Sequence, residues 1–190
     1  MPQIVLSQGT LYLSNLGESG TGFTVGGGNQ LFETGVASNG YALDSVTLLM
    51  GEWLGDASNF NVSIYSDNGG QAGALVGALN GNTDPETAGQ YVYSASGIIL
   101  NSTTPYWIVA SCETGSPMPP FLSGGYAWQI THSQNYVSAN GWSIDTSGNS
   151  SPPGSGLLLQ FSINATPVPE PSIFALLALG GLFFGFRRSN

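Results

Sequence analysis

Ahead of residue 166 the apolar residues recur at every second position and never settle into a helical period, which restricts this part of the chain to β-structure. In "FNVSIYS", Phe60, Val62 and Ile64 face one way while Asn61, Ser63 and Tyr65 face the other. In "YWIVAS", Tyr106, Ile108 and Ala110 oppose Trp107, Val109 and Ser111. "LDSVTLLM" gathers Val46, Leu48 and Met50; "GYAWQIT" gathers Tyr126, Trp128 and Ile130; "LLLQFSI" gathers Leu157, Leu159, Phe161 and Ile163. The clusters "GGGN", "ASNG", "SDNGG", "NGNTDP", "SPMPP" and "NSSPPGSG" divide these runs and predict turns. About nine or ten short strands with frequent turns predict an all-β domain over residues 1–165, an antiparallel β-sandwich of jelly-roll-like kind.

The charge of this domain narrows its partners. The chain has eleven acidic residues, and all but Glu170 fall within residues 1–165. Its only basic residues, Arg187 and Arg188, lie beyond, so the domain has a formal charge of −10. A surface without Lys or Arg cannot neutralise phosphates, which argues against nucleic acid as a partner. Anionic lipids and acidic polysaccharides are repelled too, unless a divalent cation bridges them. Cys112 is the one cysteine, so no disulfide forms within the chain.

The positive charge sits behind "SIFALLALGGLFFGF", an uncharged run at residues 172–186. As a helix, fifteen residues span about 22 Å, short of the ~30 Å hydrocarbon core. Arg187 and Arg188 in the closing segment 187–190 can reach the headgroups and hold that end in the cytoplasm, as a stop-transfer clamp. A short C-terminal apolar helix is therefore expected, with the acidic domain outside. Between domain and helix, residues 166–171 form a Pro-rich linker. Within it Val168, Pro169, Glu170 and Pro171 make a stiff extended segment suited to a processing enzyme.

An extended VPEP, a short apolar helix with paired glycines and terminal arginines together resemble the PEP-CTERM sorting signal of bacterial surface proteins. The resemblance implies processing by an exosortase, a membrane-embedded cysteine transpeptidase, near Pro169–Pro171. It also implies transient tethering in the inner membrane and a final place at the cell surface or in the extracellular matrix, in association with exopolysaccharide. Export of this kind calls for an N-terminal secretion signal. "MPQIVLSQGTLYLSNL" shows neither a basic region nor a long apolar one, so the signal is expected upstream of this start or already removed.

A second resemblance covers most of residues 10–165. "SNLG" at 14–17, "FETG" at 32–35, "LDSV" at 43–46, "VSIYSD" at 62–67 and residues 75–79 follow the order of the choice-of-anchor R domain. So do Tyr91 and Tyr93, "TPYWIV" at 104–109, "YAW" at 126–128 and Gly141-Trp142. That pattern tends to place Pro before Gly73, where this chain has Ala72. The resemblance brings no catalytic residues with it.

The residues themselves offer little chemistry. His132 is the only histidine, it follows an apparent strand, and no G-x-S-x-G accompanies it. One His and one Cys are too few for a zinc site. Paired carboxylates for glycoside hydrolysis could be drawn from Glu33, Asp44, Glu52, Asp56, Asp67, Asp84, Glu86, Glu113 and Asp145, but most lie in turn clusters. No cofactor is expected beyond a structural Ca²⁺, for which Asp67 and Asn68 are the candidates and "NGNTDPE" a second loop. Against this, D-N-G-G is also a good hairpin turn. Trp107 and Trp128 lie within alternating strands and are expected in the core, whereas Trp53 and Trp142 stand near turns as candidates for stacking on sugars. The expectation is a non-enzymatic exported surface or matrix protein. The alternatives are a lectin-like carbohydrate-binding module and, behind it, a secreted glycoside hydrolase.

Overall fold

The structure, a computed structural model, describes residues 9–25, 27–52, 57–114, 125–145 and 156–170. Trp53, Asp56, Pro171, the apolar run 172–186 and Arg187 and Arg188 lie outside the described residues, and with them the expected C-terminal helix. The described residues are all-β, every strand pairing is antiparallel, and none of them forms a helix.

Two sheets form. The larger runs in the order β11 (Val137–Ser138), β1 (Thr10–Ser14), β14 (Phe161–Pro167), β4 (Tyr41–Met50), β10 (Ala127–Thr131) and β13 (Leu158–Leu159). To this path β2 (Gly20–Val25) adds on β10, and β7 (Gly89–Ser94) and β8 (Ile99–Leu100) add on β4. The smaller runs β12 (Ser143–Ile144), β3 (Gly27–Glu33), β9 (Pro105–Thr114), β5 (Ala57–Asp67) and β6 (Ala72–Ala78).

The alternation read from sequence is the reason the sheets have a common inside. Phe60, Val62, Ile64, Tyr106, Ile108 and Ala110 from the smaller sheet are buried in one cluster with Val46, Leu48, Met50, Trp128, Phe161 and Ile163 from the larger. Two sheets facing each other across one core make a sandwich-like body. Each fully buried Leu, Ile, Val or Phe in that core contributes on the order of 1.5–3 kcal/mol.

"LLLQFSI" departs from simple alternation. Leu158 and Leu159 are both buried, and the run is two strands divided at Gln160. Before Gln160 the chain pairs with β10; after it the chain pairs with β1 and β4. The backbone of Gln160 takes part in both settings, donating N–H to the Gln129 carbonyl (2.9 Å) and accepting from Leu49 N–H (3.1 Å) and Trp128 Nε1 (2.8 Å). Asn15 holds one flank, donating from Nδ2 to the Leu159 carbonyl (2.9 Å) and accepting from Phe161 N–H (2.8 Å). Gln30 holds the other, its Oε1 accepting from Leu159 N–H at 3.0 Å. Asn15 and Gln30 are almost wholly buried, and these bonds offset the cost of taking their amides out of water.

The last strand is also longer than expected. β14 continues through Thr166 and Pro167, which pair with Ala42 and Tyr41, so it runs two residues past residue 165. It lies inside the sheet, between β1 and β4.

Candidate functional site

The segment expected to be processed begins where β14 stops. Val168 N–H donates to the Gly40 carbonyl at 3.0 Å, and Asn39 Nδ2 donates to the Pro169 carbonyl at 3.2 Å. Just before them, Thr166 Oγ1 donates to Asp44 Oδ2 at 2.8 Å. Pro169 and Glu170 are exposed, while Val168 is half-buried. The backbone that leaves the sheet is thus pinned through the carbonyl of Pro169, and Glu170 beyond it is exposed.

The support under this exit is built from three chain segments. Between β3 and β4, Thr34 N–H donates to the Thr104 carbonyl (3.1 Å) and Val36 N–H to the Asn140 carbonyl (3.0 Å). Thr103 N–H and Ser102 Oγ both donate to the Gly35 carbonyl, at 3.1 and 3.2 Å. Gly40 takes a φ of +76°, a region that L side chains rarely adopt, and a Cβ there would run into the Leu100 carbonyl. Thr103 and Asn140 are non-glycine residues that also take positive φ, at 47° and 52°.

Below lies an aromatic floor that includes Trp142. Its ring stacks on Phe32 (centroids 5.9 Å apart, planes 6° apart) and meets Tyr41 edge-on at 5.0 Å. Tyr12 completes the group, 5.3 Å from Trp142 and 4.9 Å from Tyr41. Trp142 is 1% exposed. That corrects its place as a sugar-stacking candidate: the ring is spent on the core, and no face of it meets solvent. The turn setting that suggested a surface ring, "NGWSID", instead folds the indole inward, with Asn140 and Gly141 both at positive φ.

The other candidates are dispersed. Asp67 closes the β5–β6 hairpin, accepting from Gly70 N–H at 3.0 Å and from Trp107 Nε1 at 2.8 Å. Asn68 N–H donates to the Gln71 carbonyl in the same turn, with Gly69 and Gly70 at positive φ. Trp107 is wholly buried and lies outside the cluster shared by the two sheets, so Asp67 satisfies a donor that has no water. In the second loop Asp84 N–H donates to Asn82 Oδ1, and the Asp84 carboxylate accepts from Tyr126 Oη. Burial, then that hydrogen bond and the charges of Asp84 and Glu86, hold the Tyr126 phenol above the ordinary 10.0. Among the described residues no group of three or more His, Cys, Asp or Glu is placed to hold a metal ion. His132 is exposed just beyond β10, and Cys112 is half-buried on β9. Glu33 and Asp145 do meet in one shallow groove, with Leu31, Phe32, Pro105, Ser143 and Ile144.

Residues 167–189 match the PEP-CTERM protein-sorting motif. The tail is an exosortase sorting signal. It implies that the chain is exported, is held at the membrane by its tail before cleavage, and is processed by an exosortase. The match starts on Pro167, the last residue of β14, so sheet and PEP-CTERM motif share a residue with no spacer between them. No curated protein and no solved structure matches the chain. Sequence reasoning named the motif but missed its anchors, Asn39 and Gly40, because nothing local distinguishes "ASNG" from any other turn.

Proposed function

We propose that the β-domain is the cargo of its own tail: a non-enzymatic surface or extracellular-matrix protein of choice-of-anchor R type, freed from the membrane when an exosortase cuts near Pro169–Pro171. The observation that carries this is the placement of the motif. The chain supplies a substrate, an extended exposed peptide at Pro169 and Glu170 on a fixed support. Exposed backbone of that shape is what a peptide-cleaving enzyme must bind. Trp107 and Trp128, the tryptophans in the "TPYWIV" and "YAW" stretches, are both buried, so they serve packing and present no ring to a ligand. The test is the intact mass of the protein from its native cells, with mapping of the C-terminal peptide. A species ending near Glu170, outside the inner membrane, is expected. A chain still ending at Asn190 and confined to the membrane fraction would overturn it.

A second reading, binding of a neutral carbohydrate, is favoured by the groove that brings Glu33 and Asp145 together beside Pro105. Carboxylates accept hydrogen bonds from sugar hydroxyls. Titration with neutral oligosaccharides, comparing the native chain with Glu33→Gln, tests it; absence of any saturable change ends it.

A further inference from the structure

The end of β14 is held group by group. Ala165 pairs on both sides, with Thr10 of β1 and Leu43 of β4. Thr166 and Pro167 keep their partners on β4, Ala42 and Tyr41. Beyond the strand, Val168 N–H goes to the Gly40 carbonyl and the Pro169 carbonyl accepts from Asn39 Nδ2. Val168 is half-buried, and Glu170 is exposed. The turn that makes the last two contacts is itself fixed. Gly40 is buried at a φ of +76°, against the Leu100 carbonyl. Tyr41, the next residue, is wholly buried and donates its hydroxyl to the Val36 carbonyl at 2.8 Å. The amide of Asn39 is therefore carried by backbone that continues directly into the core.

Peptide cleavage needs the carbonyl of the bond that is cut. A nucleophile attacks its carbon, the oxygen becomes an oxyanion held by donors of the enzyme, and the amine of the next residue leaves with a proton. The acyl group then passes to water or to an acceptor hydroxyl or amine. A carbonyl oxygen that already accepts a hydrogen bond from its own domain must give up that bond first. In the Pro169–Glu170 bond this oxygen is the one held by Asn39. The Val168–Pro169 bond has held groups on both flanks, the Val168 N–H and the Pro169 carbonyl. The bonds behind it belong to β14 and lie inside the sheet. Glu170 is the next residue outward, and it is exposed.

We infer that Asn39 and Gly40 set the upstream limit of processing: they shield every bond through Pro169–Glu170, so the cut falls on the C-terminal side of Glu170. The released domain then keeps Val168 and Pro169 docked against the turn at Asn39 and Gly40. Asn39 is a positioning residue in this scheme, since it touches the substrate strand and takes no part in the chemistry. The inference rests on the sorting reading for the enzyme that cuts, while the shield is a property of the domain alone.

The sequence supplies its own probe, because Pro167, Pro169 and Pro171 each precede a bond that a proline-specific endoprotease can cut. The full chain in nonionic detergent is digested with such an enzyme, one that accepts whole proteins, and the new C-termini are read by peptide mass. The native chain should be cut after Pro171 and spared after Pro167 and Pro169. Asn39→Ala removes the donor to the Pro169 carbonyl, so cutting after Pro169 should rise roughly two- to tenfold, the factor one hydrogen bond is worth, with the far-UV spectrum unchanged. In native cells, the released native protein should retain Glu170, and Asn39→Ala should shift part of the termini upstream. Native termini at Val168 or Pro169 in either setting, or an Asn39→Ala pattern identical to the native one, would overturn the inference. A chain left uncut in cells, yet showing the expected endoprotease pattern and its shift in Asn39→Ala, would support the shield and sink the sorting reading instead.

Discussion

Replacing Trp142 separates a core ring from a ligand platform. The ring is 1% exposed, stacked on Phe32 and edge-on to Tyr41. Truncating a buried Trp to Ala costs about 3–5 kcal/mol, the lost transfer energy plus the cavity left behind. A domain of this size is stable by about 5–15 kcal/mol, so Trp142→Ala removes a large share. At about 2–4 °C per kcal/mol the melting temperature falls by roughly 6–20 °C.

Trp142→Phe should behave differently. Nε1 of Trp142 is buried without a hydrogen-bond partner, which costs about 1–3 kcal/mol. Phenylalanine keeps most of the stacking and removes that donor, so its cost falls below about 2 kcal/mol. The assay is thermal unfolding of the full chain in nonionic detergent, followed by near-UV circular dichroism. A Trp142→Ala protein as stable as the native one would refute the packing and return the ring to the surface. Trp142→Phe as damaging as Trp142→Ala would mean that the indole N–H is bonded after all.

Gly35→Ala drives a methyl group against the Asn140 carbonyl and the Trp142 ring while the Gly35 carbonyl is held by Thr103 and Ser102; a loss of about 1–3 kcal/mol is expected, and a urea midpoint equal to the native one would contradict it. Asp67→Ala leaves the buried Trp107 N–H unpaired and undoes the Gly70 contact, so a loss of about 1.5–3 kcal/mol is expected. Chelation of divalent cations should leave the native melting temperature unchanged, and a fall on adding EDTA would give calcium the role assigned to these bonds. Burial raises Tyr12, Tyr93 and Tyr126 above the ordinary 10.0, so the folded state binds their protons more tightly than the unfolded state does. That stability is complete below pH 10 and is lost as pH rises beyond it; urea midpoints should fall from pH 10 upward, less steeply in Tyr126→Phe, and a flat profile to pH 11 would refute the assignment.

Period-two alternation in Phe60, Val62 and Ile64 and in Val46, Leu48 and Met50 was enough to assign strands and their inner faces, because side-chain direction follows directly from backbone geometry. It failed where one chain segment serves two partners. The break at Gln160 depends on Asn15, Gln30 and Gln129, residues that are remote in sequence and become neighbours only in the fold. Trp142 was misplaced for a related reason: a turn signal locates the backbone at the surface but leaves the side chain free to enter the core. The sorting tail was legible because its parts are local, a stiff dipeptide pair, an apolar run and two terminal charges. Its attachment to Asn39 and Gly40 was not, since a hydrogen bond between residues 130 positions apart leaves no local mark.

The attachment decides how the domain stands on the membrane before it is cut. Among the described residues the Pro169 carbonyl is the last backbone group bonded to the domain, and the apolar run opens at Ser172. Even fully extended, three residues reach at most about 11 Å, so a membrane that held the run from Ser172 would keep the domain close to it. Fixed charges at that range are barely screened, because the Debye length is about 8 Å at physiological salt. A domain of charge −10 should be driven off an anionic surface, yet the end it presents is neutral. The segments that frame the exit, residues 34–42, 95–107 and 135–143, contain no Asp or Glu. Apart from Glu170 in the gap itself, the carboxylates nearest along the chain are Glu33, Asp44 and Asp145, and Asp44 is bonded to Thr166. Apart from Glu170 and the Thr166-bonded Asp44, the segments around the exit of β14 are thus free of acidic side chains. The sparse charge around the exit and the fixed end of β14 therefore both suit a domain that is held at a membrane by its tail.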